Sequence, residues 1–360
     1  MSTPSLSPYN LTMRSPLPLA LSLLLLAVRS ACLAVATEVT WPTSLDLRAV
    51  RAPEDYLQPT ESGRLESGAF GMVRDDGHRF HEGLDIRPVG RTKAGEPTDL
   101  VFSAMAGVVA YVNPRPNGTY GRYVVMLHPQ AEIPVYTLYA HLASLQPGIK
   151  AGQTLAAGKV LGVMGHSSTS ETAIPKERAH LHFEVGLLLS EHFQAWYDSS
   201  EDNRGVPNHH GIFNGQNLIG FDPTLLLARS STDVLANLRG QPVALALTLR
   251  PKRTPDFVTR YPALRKGGDV ATAAGWYVEF SWQGMPIGWT ALPAGDPRLR
   301  PGLWSLYGVK EQFRPQLIQR RMLSANGKAA GDTLIRQVEI LTAVVALLKT
   351  AEVAHVGTGA

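Results

Sequence analysis

Cysteine is all but missing from this chain: the only one in 360 residues is Cys32. It falls in a segment with the marks of a secretory leader. Arg14 precedes the apolar run "PLPLALSLLLLAV", and "LAVATE" then offers Ala34 and Ala36 in the A-x-A spacing that signal peptidase reads. With residues 1–36 removed, the mature chain would have no thiol and no disulfide, so its stability must come from an ordinary apolar core. Lipidation of Cys32 is the alternative fate, at odds with Arg29 three residues before it, where an aliphatic residue is expected. Long apolar runs are equally scarce. The leader's own run is too short to span a bilayer comfortably, and no membrane span is expected in the mature chain. Excess charge is missing too. Charged residues make up 18%, and Arg14 and Arg29 account for two of the formal +4, leaving +2 after the leader. Nothing in that balance points to nucleic acid. The expectation is an exported protein, periplasmic or extracellular.

Glycine, by contrast, is plentiful, and it punctuates the mature chain. After a lead-in at 37–65, the runs "GVVAYV", "GRYVVMLH", "VYTLYAHL" and "KVLGVMG" are short, rich in Val, Tyr and Leu, and bounded by Gly, Pro or Asn. That is an antiparallel β signature over 66–228. A polar stretch at 190–217 has little periodicity, and a loop of that length is usually functional or disordered. Near residue 230 the texture changes: a short helix or linker, strands in "VALALTL", "WYVEFSW" and "IGWTAL", and a late helix. Asp332 can cap that helix, whose stripe is Leu334, Ile335, Val338, Leu341, Val344, Val345 and Leu348, interrupted by Arg336 and Glu339. The expected fold class is therefore mainly β, a compact antiparallel β domain with a C-terminal α+β domain at 233–360. A fragment ending near Arg229 is expected to fold alone. Trp276, Trp282, Trp289 and Trp304 would suit a carbohydrate-binding surface in that second domain, although tryptophans on alternating strands more often build core.

Histidine carries the chemistry. In "AHLHFEV", strand alternation puts Leu181, Phe183 and Val185 on one face and His180, His182 and Glu184 on the other. The two histidines, with Cα atoms about 6.6 Å apart, look into one space, so that one can ligate a metal while the other stands beside it. In "HEGLD", His81 and Asp85 would sit about 13 Å apart on a straight strand, too far to share one ion, so the chain must bend between them, where Gly83 permits it. A bent H-x-x-x-D plus one histidine of H-x-H makes three N/O ligands and leaves an open fourth position, the layout of a catalytic zinc site. His141, in "YAHL", closes an apolar run. His78, His128, His166, His192, His209, His210 and His355 have no matching motif and are expected to be ordinary surface or loop residues.

Taken together, Phe70–Gly71, "HEGLD", "YAHL", "GVMG", "HLHFEV" and a closing "FDP" follow the order and approximate spacing of the lysostaphin/LytM-type zinc metallopeptidases. The resemblance covers roughly residues 66–228. It implies a duplicated-hybrid-motif β domain with one Zn2+ held by His81, Asp85 and His182. His180 and His141 would flank the scissile amide, with His180 the preferred general base and His141 an alternative base or oxyanion stabiliser. With export, it implies peptide cross-links of bacterial peptidoglycan as substrate. A non-catalytic binding or regulatory module of the same type is the alternative, but such modules typically lack some ligands and all five residues are present here. The segments 166–179 and 190–217 are longer than usual for the family and should border the groove, as selectors of substrate or as cover.

Overall fold

Branched and aromatic residues at alternate positions favour a pleated surface buried on at least one side. A computed structural model describes residues 38–45, 50–60, 63–74, 79–129, 131–169, 173–227 and 234–342, and the expected leader, with Cys32, lies outside them. The described residues form one compact unit. The runs quoted above become the strands Gly107–Asn113, Tyr123–His128, Val135–Ala140 and Val160–Val163. The first three lie in a seven-stranded sheet ordered Leu218–Phe221, Leu181–Leu188, Val135–Ala140, Tyr123–His128, Gly107–Asn113, Thr154–Leu155. The seventh strand, Leu84–Ile86, pairs with the first half of Leu181–Leu188, and Leu218–Phe221 pairs with its second half. Two short strands thus share one edge of the long one, while Val135–Ala140 holds the other. All these pairings are antiparallel.

The long strand is buried along its whole length. Leu181, Phe183, Val185 and Leu187 enter the larger apolar core. On the other face Tyr123, Val125, Tyr136, Leu138 and Leu188 form a smaller core, closed by Phe213 from the polar 190–217 stretch. The Tyr123 hydroxyl donates to the Phe213 carbonyl at 3.2 Å, which ties that stretch to the sheet. His182 and Glu184 lie on this second side, opposite Ala140 and Leu138.

His128 corrects a sequence expectation: it is fully buried rather than a surface or loop residue. Nδ1 lies 2.8 Å from the Ala106 carbonyl and Nε2 2.8 Å from the Thr137 hydroxyl, so the neutral ring is satisfied in the sheet. Burial pushes its pKa down from 6.5 to about 4. The unfolded chain therefore takes up this proton first as pH falls. Stability contributed by neutral His128 is fully present above pH 6.5 and is lost between there and pH 4, by about 3 kcal/mol. Unfolding free energies of the wild type and His128→Gln should change relative to one another by about this amount across that window; parallel curves would remove His128 from the acid response.

Past residue 233 a five-stranded sheet is ordered Arg265–Gly267, Pro286–Leu292, Gly275–Phe280, Leu245–Leu249, Trp304–Val309. Trp276, Trp289 and Trp304 are buried in its core and Trp282 packs edge-on against Phe80, so the tryptophans build core rather than an open aromatic platform. The late helix runs from Asp332 to Thr342, with Leu334, Val338 and Leu341 buried. Val344, Val345 and Leu348 of the expected stripe lie outside the described residues. Among the described residues no helix is long and apolar enough to cross a membrane.

The change of texture near residue 230 is not a seam in the packing. Leu188 N donates to the Tyr261 hydroxyl, Ser190 and Glu191 bond to the Asp256 carboxylate, and the Trp196 indole donates to Glu339. One apolar core contains Phe183 and Trp196 together with Trp289 and Leu341.

Candidate metal centre

Strand register brings the distant motifs together. His182 sits directly across from Asp85 on one neighbouring strand and from Ala140 on the other, and His141 follows Ala140. His180 enters one residue before the long strand, its N–H donating to the Gly165 carbonyl at 3.1 Å. Gly83 is required for a different reason from the one expected. It has no positive φ, but a Cβ there would lie 2.4 Å from the Phe183 carbonyl oxygen, so it lets the "HEGLD" segment close onto the strand.

Three donor atoms converge. His81 Nε2 lies 2.9 Å from Asp85 Oδ1 and 3.2 Å from His182 Nδ1, and Asp85 Oδ1 is 2.9 Å from His182 Nδ1. His81, Asp85 and His182 are the group of metal-capable side chains found among the described residues, and all three are buried. Each is fixed from behind. His81 Nδ1 donates to the Ala69 carbonyl at 2.7 Å, Asp85 Oδ2 accepts from the Thr60 hydroxyl at 2.8 Å, and His182 Nε2 donates to Glu184 Oε1 at 2.8 Å. Ligating histidines are commonly oriented in this way, the second nitrogen engaged so that the first presents its lone pair.

The electrostatics fit a cation. Asp85 and Glu184 are both buried, which by itself would raise their carboxyls; the imidazoles of His81 and His180 and the bonds from His182 and His81 hold Asp85 well below the usual range. Glu184 is lowered by His182, Tyr120 and Tyr136 against the same burial. Burial would lower His182, yet its bonds to Asp85 and Glu184 push it up to about 10. Two buried carboxylates thus demand positive charge at this point. A divalent ion on two imidazole nitrogens and a carboxylate oxygen meets that demand with a donor set that suits zinc.

His180 and His141 have the opposite character. Burial lowers both, and for His141 the neighbouring His180 and His182 lower it further. His180 Nδ1 donates to the Arg178 carbonyl at 2.7 Å and His141 Nδ1 to the Ser167 carbonyl at 2.9 Å, so each neutral ring keeps a bare Nε2. Their ring centroids are 4.7 Å apart. His141 adopts φ 61, in the left-handed region, as the chain leaves its strand.

Glu184 is the residue that motif reading passed over. It accepts from Tyr120 at 2.6 Å, Tyr136 at 2.7 Å and His182, which satisfies a carboxylate that would otherwise be costly to bury. Its signal was present in the alternation of "HLHFE", whereas nothing in the sequence marked its tyrosine partners. The histidines open onto a cleft of about 720 Å³ bordered by Ser168 and Arg178 from the first long segment and by Gly215 and Gln216 from the second. Of the other histidines, His166 pairs with Glu96 and His210 packs against Tyr111 and Tyr123; His78 and His355 lie outside the described residues.

Residues 79–192 match the sequence model of Peptidase family M23. No curated protein matches the chain. Among solved structures it is similar to a putative glycyl-glycine endopeptidase lytM from Ruminococcus gnavus, at 25% identity over 42% of this chain and 53% of that one, with a TM-score of 0.27. A zinc-containing peptidase from Vibrio cholerae shares 23% identity over 41% of this chain and 36% of that one, TM-score 0.27. The catalytic domain of lysostaphin from Staphylococcus simulans shares 16% over 44% and 89%, TM-score 0.28. The chain thus spans about half of the first of these structures and about a third of the second. The family match encloses His81, Asp85, His141, His180, His182 and Glu184, so over residues 79–192 the chain is similar to peptidase family M23, in line with the lysostaphin/LytM-type motifs it resembles.

Proposed function

We propose that the chain is an exported zinc endopeptidase that hydrolyses peptide cross-links of bacterial peptidoglycan. The observation that carries this reading is the convergence of His81 Nε2, Asp85 Oδ1 and His182 Nδ1 beside two neutral histidines on one cleft. The substrate class follows from the resemblance together with the expected leader. Zinc held by the three donors supplies Lewis-acid polarisation of the scissile carbonyl and acidifies water.

The remaining chemistry belongs to the side chains. His180 Nε2 accepts the proton of the attacking water and returns it to the leaving amine, as a neutral imidazole is suited to do. Asp85 Oδ1, 3.4 Å from that nitrogen, stabilises the imidazolium formed in between. This favours His180 over His141 as base. His141, with its only N–H committed to Ser167, can assist a developing oxyanion only after Nε2 has gained a proton. Glu184 keeps His182 in the tautomer that directs Nδ1 at the ion.

The secreted protein should begin at Thr37 and retain about one zinc, and Asp85→Ala should retain none. N-terminal sequencing and metal analysis check both. Metal content unchanged in Asp85→Ala would show that the ligand set is wrong.

A further inference from the structure

One end of the cleft is built by residues that the family match does not reach: Arg320, Thr333, Arg336 and Gln337, from beyond residue 233, face the same space as the histidines. Arg320 is 8% exposed. Its guanidinium carbon lies 3.8 Å from the Phe80 ring centroid and its Nε donates to the Gln283 carbonyl at 3.3 Å, but among the described residues its two terminal nitrogens have no partner. A buried guanidinium without an ion pair is costly unless something neutralises it. Arg336, half-buried on the Asp332–Thr342 helix, is close enough to Arg320 to disfavour its charge, and it too makes no ion pair among the described residues. The acid on this wall is Glu82, which lines the cleft and interacts favourably with Arg320 without bonding to it.

Two unpaired guanidinium groups around a concave space match a carboxylate, which a planar fork of N–H donors grips with two parallel bonds. We propose that Arg320 and Arg336 form a carboxylate-binding subsite, so that the C-terminal region selects substrates for the peptidase cleft by a free carboxyl group. That the ligand is a peptide rests on the proposed function; that the subsite takes a carboxylate rests on the two arginines. Phe80, from the family segment, supplies the face on which Arg320 is held, so the subsite exists only where both parts of the chain are joined.

The test uses the full zinc-loaded chain and two short wall-type peptides that differ only in ending with a carboxylate or a carboxamide. Titration calorimetry should show the carboxylate peptide binding at least about 10-fold more tightly, as expected for charge-assisted hydrogen bonds. Arg336→Gln should remove that preference, so that the two peptides bind alike. Because Arg320 is buried, Arg320→Lys is the second variant, with its melting curve recorded, and it should weaken the same preference. Equal binding of the two peptides, binding of neither, or a preference that survives in both variants overturns the subsite. Hydrolysis is scored separately. Carboxylate preference without cleavage would sink the endopeptidase reading alone, and cleavage without preference would sink the subsite alone.

Discussion

His182→Ala is expected to lose its zinc and all hydrolysis, whereas His180→Ala keeps about one zinc and loses about 10² to 10⁴ in rate. The two side chains stand two residues apart, His180 just ahead of the long strand and His182 within it, and the difference lies in what each nitrogen faces. His182 Nδ1 points at Asp85 Oδ1 and His81 Nε2, at 2.9 and 3.2 Å, while its other nitrogen is committed to Glu184. On the proposed ligand set, removing it deletes a donor and leaves Asp85 and Glu184, both buried, without a cation. His180 Nε2 is further from Asp85, at 3.4 Å, and burial keeps the ring neutral, so its removal deletes a proton acceptor and leaves the three donors in place. Zinc stoichiometry and release of wall peptides on both variants decide the matter. Equal zinc loss would make His180 a ligand, and full activity in His180→Ala would take it out of the reaction.

A fragment ending at residue 229 is expected not to fold, against the sequence expectation of an independent peptidase domain. Truncation would leave Leu188 N–H, Ser190, the Trp196 indole and the Leu188 carbonyl without the partners that Tyr261, Asp256, Glu339 and Arg260 now provide. It would also bare Phe80, now covered by Trp282 and Arg320, and the side of the large core facing Trp289 and Leu341. Exposing a large core side chain costs roughly 1.5–3 kcal/mol each, and several together exceed the 5–15 kcal/mol by which a typical domain is stable. The expected result is an insoluble or non-cooperatively melting product. A soluble fragment with a sharp thermal transition and bound zinc would show that the shared core is dispensable.

Both outcomes turn on what one-dimensional patterns can carry. Alternation in "AHLHFEV" sorted Leu181, Phe183 and Val185 from His180, His182 and Glu184 correctly, because a strand's period of two is a local property. The convergence of His81, Asp85 and His182 was legible as a requirement, since three ligands must meet. How they meet was not: the register that sets His182 opposite Asp85 is fixed by long-range pairing, and Gly83 serves that pairing through the side chain it lacks. The tyrosines that bind Glu184 come from two other segments, with nothing in their local sequence to mark them. His128 was expected at the surface or in a loop and proved to be core, because its neighbours supply both of its hydrogen bonds. The change of composition near residue 230 was real, yet composition reports which residues a segment contains, and a domain boundary depends on which surfaces they bury.

His141 holds a backbone conformation, φ 61, that side chains bearing a Cβ occupy at a cost of about 1–3 kcal/mol. Glycine or asparagine would sit there more comfortably, and either would erase the imidazole that faces the cleft. Backbone comfort and the imidazole at the cleft therefore pull in opposite directions at this single position. A library selected for heat resistance alone would enrich glycine or asparagine at residue 141, whatever the imidazole does at the cleft.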